Sequence, residues 1–307
     1  MTSTSPSDSP CRKPASVRLN GSRNLSQGAL GWRARWVNNR LATARRTLSI
    51  VPTAERAFPL RRPIGFSLLV TGAIVAIALA IGAVAYFAAP DLPWMWVGMG
   101  VNVGLAVLSV VLVTVLGWWR RIGFTPPREW RNTSLLLPLV AVVIVVAIAD
   151  GNWSIGLGTA FVALALTLVI GFAEETLFRG VILEALRARS VAAAVVGSSL
   201  LFAATHALNV IGADPIKVTV QIATALGVGV AFAAVRIRTG TIVPLILVHA
   251  AINFVGFTST NGQGVATAVD PMQVPVDLAF AAAFGLYGIA ILVRQPRRPV
   301  TAAHAEP

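Results

Sequence analysis

The chain has 307 residues, 56% of them hydrophobic and only 12% charged. That composition excludes a soluble globular domain and points to a polytopic membrane protein. A single cysteine, Cys11, excludes a disulfide framework and a thiolate metal cluster, and the formal charge of +13 has to be read through its distribution.

Residues 1–62 are rich in Ser, Pro and Arg, with twelve Lys or Arg against Asp8 and Glu55. No apolar run there reaches a signal-peptide core, so a cleaved secretory leader is not expected. The composition predicts a disordered basic tail, within which "LGWRARWVNNRLATARRTL" is the stretch suited to an amphipathic helix on anionic lipid. Residues 63–294 read as a membrane domain. Apolar segments predict spans at 64–89, 95–117, 134–149, 155–178, 191–208, 216–235, 241–257 and 275–293, each near the roughly 20 residues a spanning helix needs. Residues 295–307 form a second polar tail. The expected fold is therefore all-α, an integral membrane protein of about eight transmembrane helices, with no internal repeat.

Local signals refine the segments. "WMW" at 94–96 and "WW" at 118–119 read as interfacial aromatic belts at the two ends of the second span. "IGFTPPREW", 122–130, reads as a loop with a proline turn before an interfacial segment. Gly227 and Gly229 suit close helix packing, and Pro244 is expected to kink the seventh span beneath His249.

Loop charges set the orientation. Arg120, Arg121, Arg128 and Arg131 follow span two, Arg187 and Arg189 follow span four, Arg236 and Arg238 follow span six, and Arg294, Arg297 and Arg298 follow span eight. With the tail and Arg179, all of them fall on one side; of the 25 basic residues only Lys217 falls on the other. The positive-inside rule then places both termini in the cytoplasm of a multi-pass cell-membrane protein. The charge is explained by topology, and a nucleic-acid partner is not.

Within the apolar segments a few residues stand out. "GFAEETLFRG", 171–180, sets Glu174, Glu175 and Arg179 at the end of span four. A charge there costs roughly 2.5–3.5 kcal/mol on insertion scales, so each needs a partner or a task. Neighbours on an α-helix point about 100° apart. Glu175 and Arg179, four apart, are set for an ion pair, which leaves Glu174 to face a cavity. Of three histidines, His304 lies in the polar tail, while His206 ("LFAATHALN") and His249 ("LILVHAAINF") lie in apolar helices. Phe202 shares a face with His206, and Asn253 shares one with His249.

Such a set on three helices suits the activation of a water. A glutamate near an imidazole takes the proton, and an imidazole and a carboxamide on one face donate to an oxyanion. The alternative makes His206 and His249, with a carboxylate, ligands of a zinc ion; otherwise no cofactor is implied. Nucleophilic serine or cysteine chemistry lacks a suitable motif.

These residues carry a family resemblance. "EETLFR" resembles the E-E-x-x-x-R motif of the CPBP intramembrane proteases, relatives of CAAX prenyl endopeptidases and bacteriocin-processing enzymes. "FAATH" at 202–206 resembles the family's F-x-x-x-H motif, and "HAAIN" at 249–253 its H-x-x-x-N or H-x-x-x-D motif. The resemblance covers about residues 150–260. It implies an intramembrane endopeptidase acting on a membrane-associated peptide or protein, of the prenylated CAAX or bacteriocin-like kind. Glu174 would be the base, His206 would position the water, and His249 and Asn253 would stabilise the oxyanion. Glu175, Arg179 and Phe202 would complete the motifs. The family is named for metal chemistry, although a glutamate mechanism without zinc has also been proposed. Rival readings are an inactive membrane adaptor or immunity protein on the same fold, and a proton-coupled transporter. Depth poses a problem for convergence. His249 lies about 14 Å and His206 about 22 Å along their helices from the cytoplasmic side. Extension of "RGVILEALRARS" into the cytosol as a helix would bring the two level.

Overall fold

The computed structural model describes residues 58–151, 153–259 and 271–294. The expectations for the basic tail up to residue 57, with Cys11, for most of the 258–274 loop, and for the C-terminal tail with His304 fall outside them. The chain divides into a unit Met1–Arg56 and a unit Ala57–Pro307, and every described residue belongs to the second.

The described residues are all-α. A helical turn, Phe58–Arg61, comes first; Pro59 is buried and the Phe58 ring stands edge-on to Phe66 at 6.2 Å. Residues 58–61 of the expected tail are thus packed structure. Eight apolar helices follow: α1 (Pro63–Ala88), α2 (Trp94–Leu116), α3 (Leu137–Asp150), α4 (Leu157–Leu186), α5 (Val191–Thr205), α6 (Pro215–Thr239), α7 (Val243–Ser259) and α8 (Gln273–Val293). A 3₁₀ segment, Trp130–Leu136, leads into α3, and another, His206–Ile211, extends α5. With these extensions, seven of the eight are long and apolar enough to cross a membrane. The exception, α7, has 17 residues. At 1.5 Å per residue that is about 25 Å, short of the roughly 30 Å hydrocarbon core.

Helix starts follow local chemistry. Asp214 caps α6, its carboxylate accepting from the Ile216 and Lys217 amides at 2.8 and 3.3 Å, and Pro215 fills the first position, where a missing N–H costs nothing. Ser190 caps α5 by accepting from the Ala193 amide at 2.9 Å. Pro244 is the second residue of α7. A proline in the first turn breaks no helical hydrogen bond, so it starts the helix rather than kinking it.

Burial sorts the helices. α6 is the central element, packed against α5 and α8, whereas α1, α2 and α3 show mostly apolar outer faces. Gly227 lies against the Ala281 backbone of α8, and Gly229 against Ser199 of α5, so both serve close packing as expected. Trp94 and Trp96 are exposed, in keeping with an interfacial belt, but Trp118 is not. Its ring is 2% exposed, packed edge-on to Phe66 at 6.4 Å with the Arg121 guanidinium 5.1 Å above it. It anchors the α2–α3 loop to the protein core.

Candidate active site

The site begins with a change of helix type. α4 is regular from Leu157 to Glu174, becomes a π-helix from Glu175 to Ile182, and returns to α over Leu183–Leu186. The i→i+5 bonding of a π segment widens the helix, and such segments recur at functional sites. Every residue from 175 to 186 is buried. The charges on this stretch therefore face protein and not lipid, which is how the chain accommodates them.

Glu175 is the anchor. Its side chain is fully buried, and Oε1 lies 3.1 Å from Arg179 Nη1, a close ion pair without good hydrogen-bond alignment. The Arg179 guanidinium lies 4.0 Å over the Phe202 ring and 5.6 Å from that of Phe232, so aromatic faces supply part of its stabilisation. The same Glu175 oxygen is 2.7 Å from His249 Nδ1. On the far side of the imidazole, Nε2 is 3.3 Å from Glu174 Oε2. His249 is thus held between the two glutamates, with its ring edge-on to Phe202 and Phe232 at 6.1 and 6.0 Å.

Proton placement follows from these contacts. A carboxylate paired with arginine only accepts, so His249 Nδ1–H donates to Glu175. The opposite contact, Nε2 to Glu174 at 3.3 Å, is close enough for the two groups to pass a proton between them. Glu174 is the member of the chain that reaches outward, its side chain 20% exposed against 8% for His249 and none for Glu175.

The other expected residues lie around this core. His206 stands where α5 gives way to its 3₁₀ extension, half-buried, with Nδ1 2.9 Å from the Phe202 carbonyl. Nδ1–H donates there, leaving Nε2 as an acceptor. The Phe202 ring meets His206 edge-on at 4.8 Å and so stands between the two histidines. No hydrogen bond or ion pair joins His206 to either glutamate. Asn253, half-buried and one turn beyond His249, makes no hydrogen bond among the described residues. The helices are level at the site: Phe202, on α5, touches Phe178 and Arg179 of α4 and His249 of α7. α4 continues as a helix to Leu186.

Sequence reading missed two contributors. A Cβ at Gly171 would come within 2.6 Å of the Ile246 carbonyl and 3.3 Å of the Ala250 amide. The backbones of α4 and α7 therefore touch one turn before the glutamates, at the turn that bears His249. The signal was a glycine three residues before Glu174. Phe232 lies alone in α6 and carried no signal.

Metal binding can be judged from the donors. Among the described residues no group of three or more His, Cys, Asp or Glu side chains is arranged to hold a metal ion. His206 and His249 are not part of such a group.

The profile of one protein family, described as type II CAAX prenyl endopeptidase Rce1-like, matches residues 156–255. No curated protein and no solved structure matches the chain. The matched segment runs from the start of α4 to α7 and contains Glu174, Glu175, Arg179, Phe202, His206, His249 and Asn253. Residues 156–255 of this multi-pass membrane protein are thus similar to the Rce1-like type II CAAX prenyl endopeptidases.

Proposed function

We propose that the protein is an intramembrane endopeptidase in which Glu174 activates the hydrolytic water. The observation that carries this reading is the chain Arg179–Glu175–His249–Glu174, anchored in the core and open at Glu174. Glu174 takes a proton from water as the oxygen attacks the peptide carbonyl carbon. His249, its orientation fixed by Glu175, stabilises the Glu174 carboxylate and shares its proton. When the C–N bond breaks, that proton goes to the leaving amine. The His206 Nε2 acceptor suits holding the water. The free carboxamide of Asn253 suits donation to the developing oxyanion, a role the geometry favours more for Asn253 than for the doubly engaged His249. Glu175 and Arg179 act through His249 and are positioning residues.

The description of the matching family, type II CAAX prenyl endopeptidase, supports a membrane-associated CAAX-type substrate. A membrane-associated peptide bearing a C-terminal prenylated cysteine is the first substrate to try, and an unprenylated membrane-tethered peptide the second. Purified full-length protein in nanodiscs should cleave one or both, and Glu174→Ala should abolish cleavage. Failure of the wild type to cleave either set would leave the adaptor and carrier readings standing and overturn this one. The loop arginines support cytoplasmic termini and a site that opens towards the cytoplasm. Labelling of a cysteine placed at Arg120, in a Cys11→Ser background, by an impermeant thiol reagent on intact cells would contradict that orientation.

A further inference from the structure

A second charged cluster lies where the α2–α3 loop meets the turn between α6 and α7. Arg121, Arg128, Arg131, Arg187, Arg236 and Arg238 gather there with Glu129 and Glu184. Both carboxylates are engaged. Glu184 binds Arg121 Nε at 3.0 Å and Arg187 Nη1 at 2.9 Å, and Glu129 binds Arg131 Nε at 2.9 Å. Arg236 is buried and donates to backbone, Nε to the Ile122 carbonyl at 3.0 Å and Nη2 to that of Arg121 at 3.1 Å.

Arg128 and Arg238 remain, and both are held in place. The Arg128 amide donates to the Thr239 carbonyl at 2.9 Å. Its side chain lies across Gly240, whose φ is +77°; a Cβ there would meet Arg128 Cγ at 2.7 Å and Nε at 2.8 Å. The glycine therefore provides both the left-handed turn and the bed for the arginine stem. Arg238 Nε is buried and has no hydrogen-bond partner among the described residues, and its carbonyl accepts from Asn132 at 3.3 Å. Neither guanidinium has an ion-pair partner among the described residues. Glu129 attracts Arg238 but is bound to Arg131. Arginines held in place without a counter-ion favour a bound anion.

We propose that Arg128 and Arg238 bind the phosphate of an anionic phospholipid headgroup. Position decides for a lipid over a free anion. Arg238 is the penultimate residue of a spanning helix, and Trp130, 72% exposed, begins the segment leading into α3. Both mark the level where indole rings and headgroups meet.

The test uses full-length protein in nanodiscs of phosphatidylcholine with graded phosphatidylglycerol, read by thermal unfolding and by native mass spectrometry of retained lipid. The wild type should retain phosphatidylglycerol over phosphatidylcholine and unfold at higher temperature as its fraction rises. Arg128→Gln and Arg238→Gln should each weaken retention about fivefold, the effect of one basic residue near a charged surface. Arg189→Gln, an exposed arginine outside the cluster, should change nothing. Arg128 is itself exposed, so its variant decides the matter if Arg238→Gln does not fold. Equal weakening by Arg128→Gln and Arg189→Gln would show diffuse attraction and overturn the site. An equal shift from inorganic phosphate alone would overturn the lipid as its ligand.

Discussion

The single helix α4 carries two acidic centres that treat their arginines differently. At Glu184 each oxygen has its own partner, Arg121 at 3.0 Å and Arg187 at 2.9 Å, and these arginines remain 35% and 30% exposed. At Glu175 one oxygen faces both Arg179 and His249, while Oε2 and Arg179 Nη2 have no hydrogen-bond partner among the described residues. Aromatic rings stand where further acceptors would be expected. The first centre ties the α2–α3 loop to α4 and is complete. The second is buried in a π segment, incompletely satisfied, and passes its remaining capacity through an imidazole to a partly exposed carboxylate. Unspent polar capacity at a buried charge, more than burial itself, separates the centre proposed to be reactive from the structural one.

Substitutions can break that contrast, and the largest effect belongs to Glu174. Glu174→Gln keeps the shape and removes the base, so turnover should fall about 10²–10⁴-fold. Thermal unfolding in nanodiscs should barely move, because the side chain is partly exposed. Next comes Glu175→Gln, which leaves Arg179 a buried charge without its partner. A loss of about 3–5 kcal/mol in stability is expected, with a lower rate because His249 loses its anchor. If Glu175→Gln is inactive yet fully stable, Glu175 belongs to the chemistry and the division of labour is wrong.

Gly171→Ala should come third. The added methyl must push α7 away from α4. The 3.3 Å His249–Glu174 contact has less room to stretch than the 2.7 Å contact to Glu175. A misplacement approaching 1 Å can cost about 10²-fold in rate, so a loss of roughly tenfold or more in kcat with KM little changed is expected. Gly158→Ala lies on the same helix with open space around it and serves as the control; a similar loss there would refute the positioning role. The smallest effect should be that of Glu184→Gln. Its partly exposed pairs contribute about 1 kcal/mol after screening, and turnover should remain within about twofold. A large rate loss at Glu184 would erase the distinction between the two centres.

Much of this was legible in the sequence, for identifiable reasons. Spans are written in long apolar runs, and the predicted 191–208 and 275–293 lie within a few residues of helices ending at Ile211 and Val293. The Glu175–Arg179 pair followed from spacing, and the structure contains it. The bridging role of His249 did not follow. Rotation of about 100° between neighbours implied that Glu174 and Glu175 serve different places. An imidazole with nitrogens on opposite edges spans that divergence, and only tertiary packing brings it there. Trp118 was misplaced because a tryptophan pair at a span end resembles a lipid-facing belt. Whether it turns inward depends on Phe66, far away in sequence. Pro244 was misread because its effect depends on where the helix starts, which shifted by two residues.

If Glu174, backed by His249, activates the water as proposed, cleavage needs no bound metal. Cleavage by purified wild type after exhaustive chelation, with zinc content measured on the same sample and on His249→Ala, tests it most directly. The chelated wild type should keep its rate, with no stoichiometric zinc bound before treatment. Stoichiometric zinc that is lost in His249→Ala, with activity that vanishes on chelation and returns on adding zinc to the wild type, would contradict it.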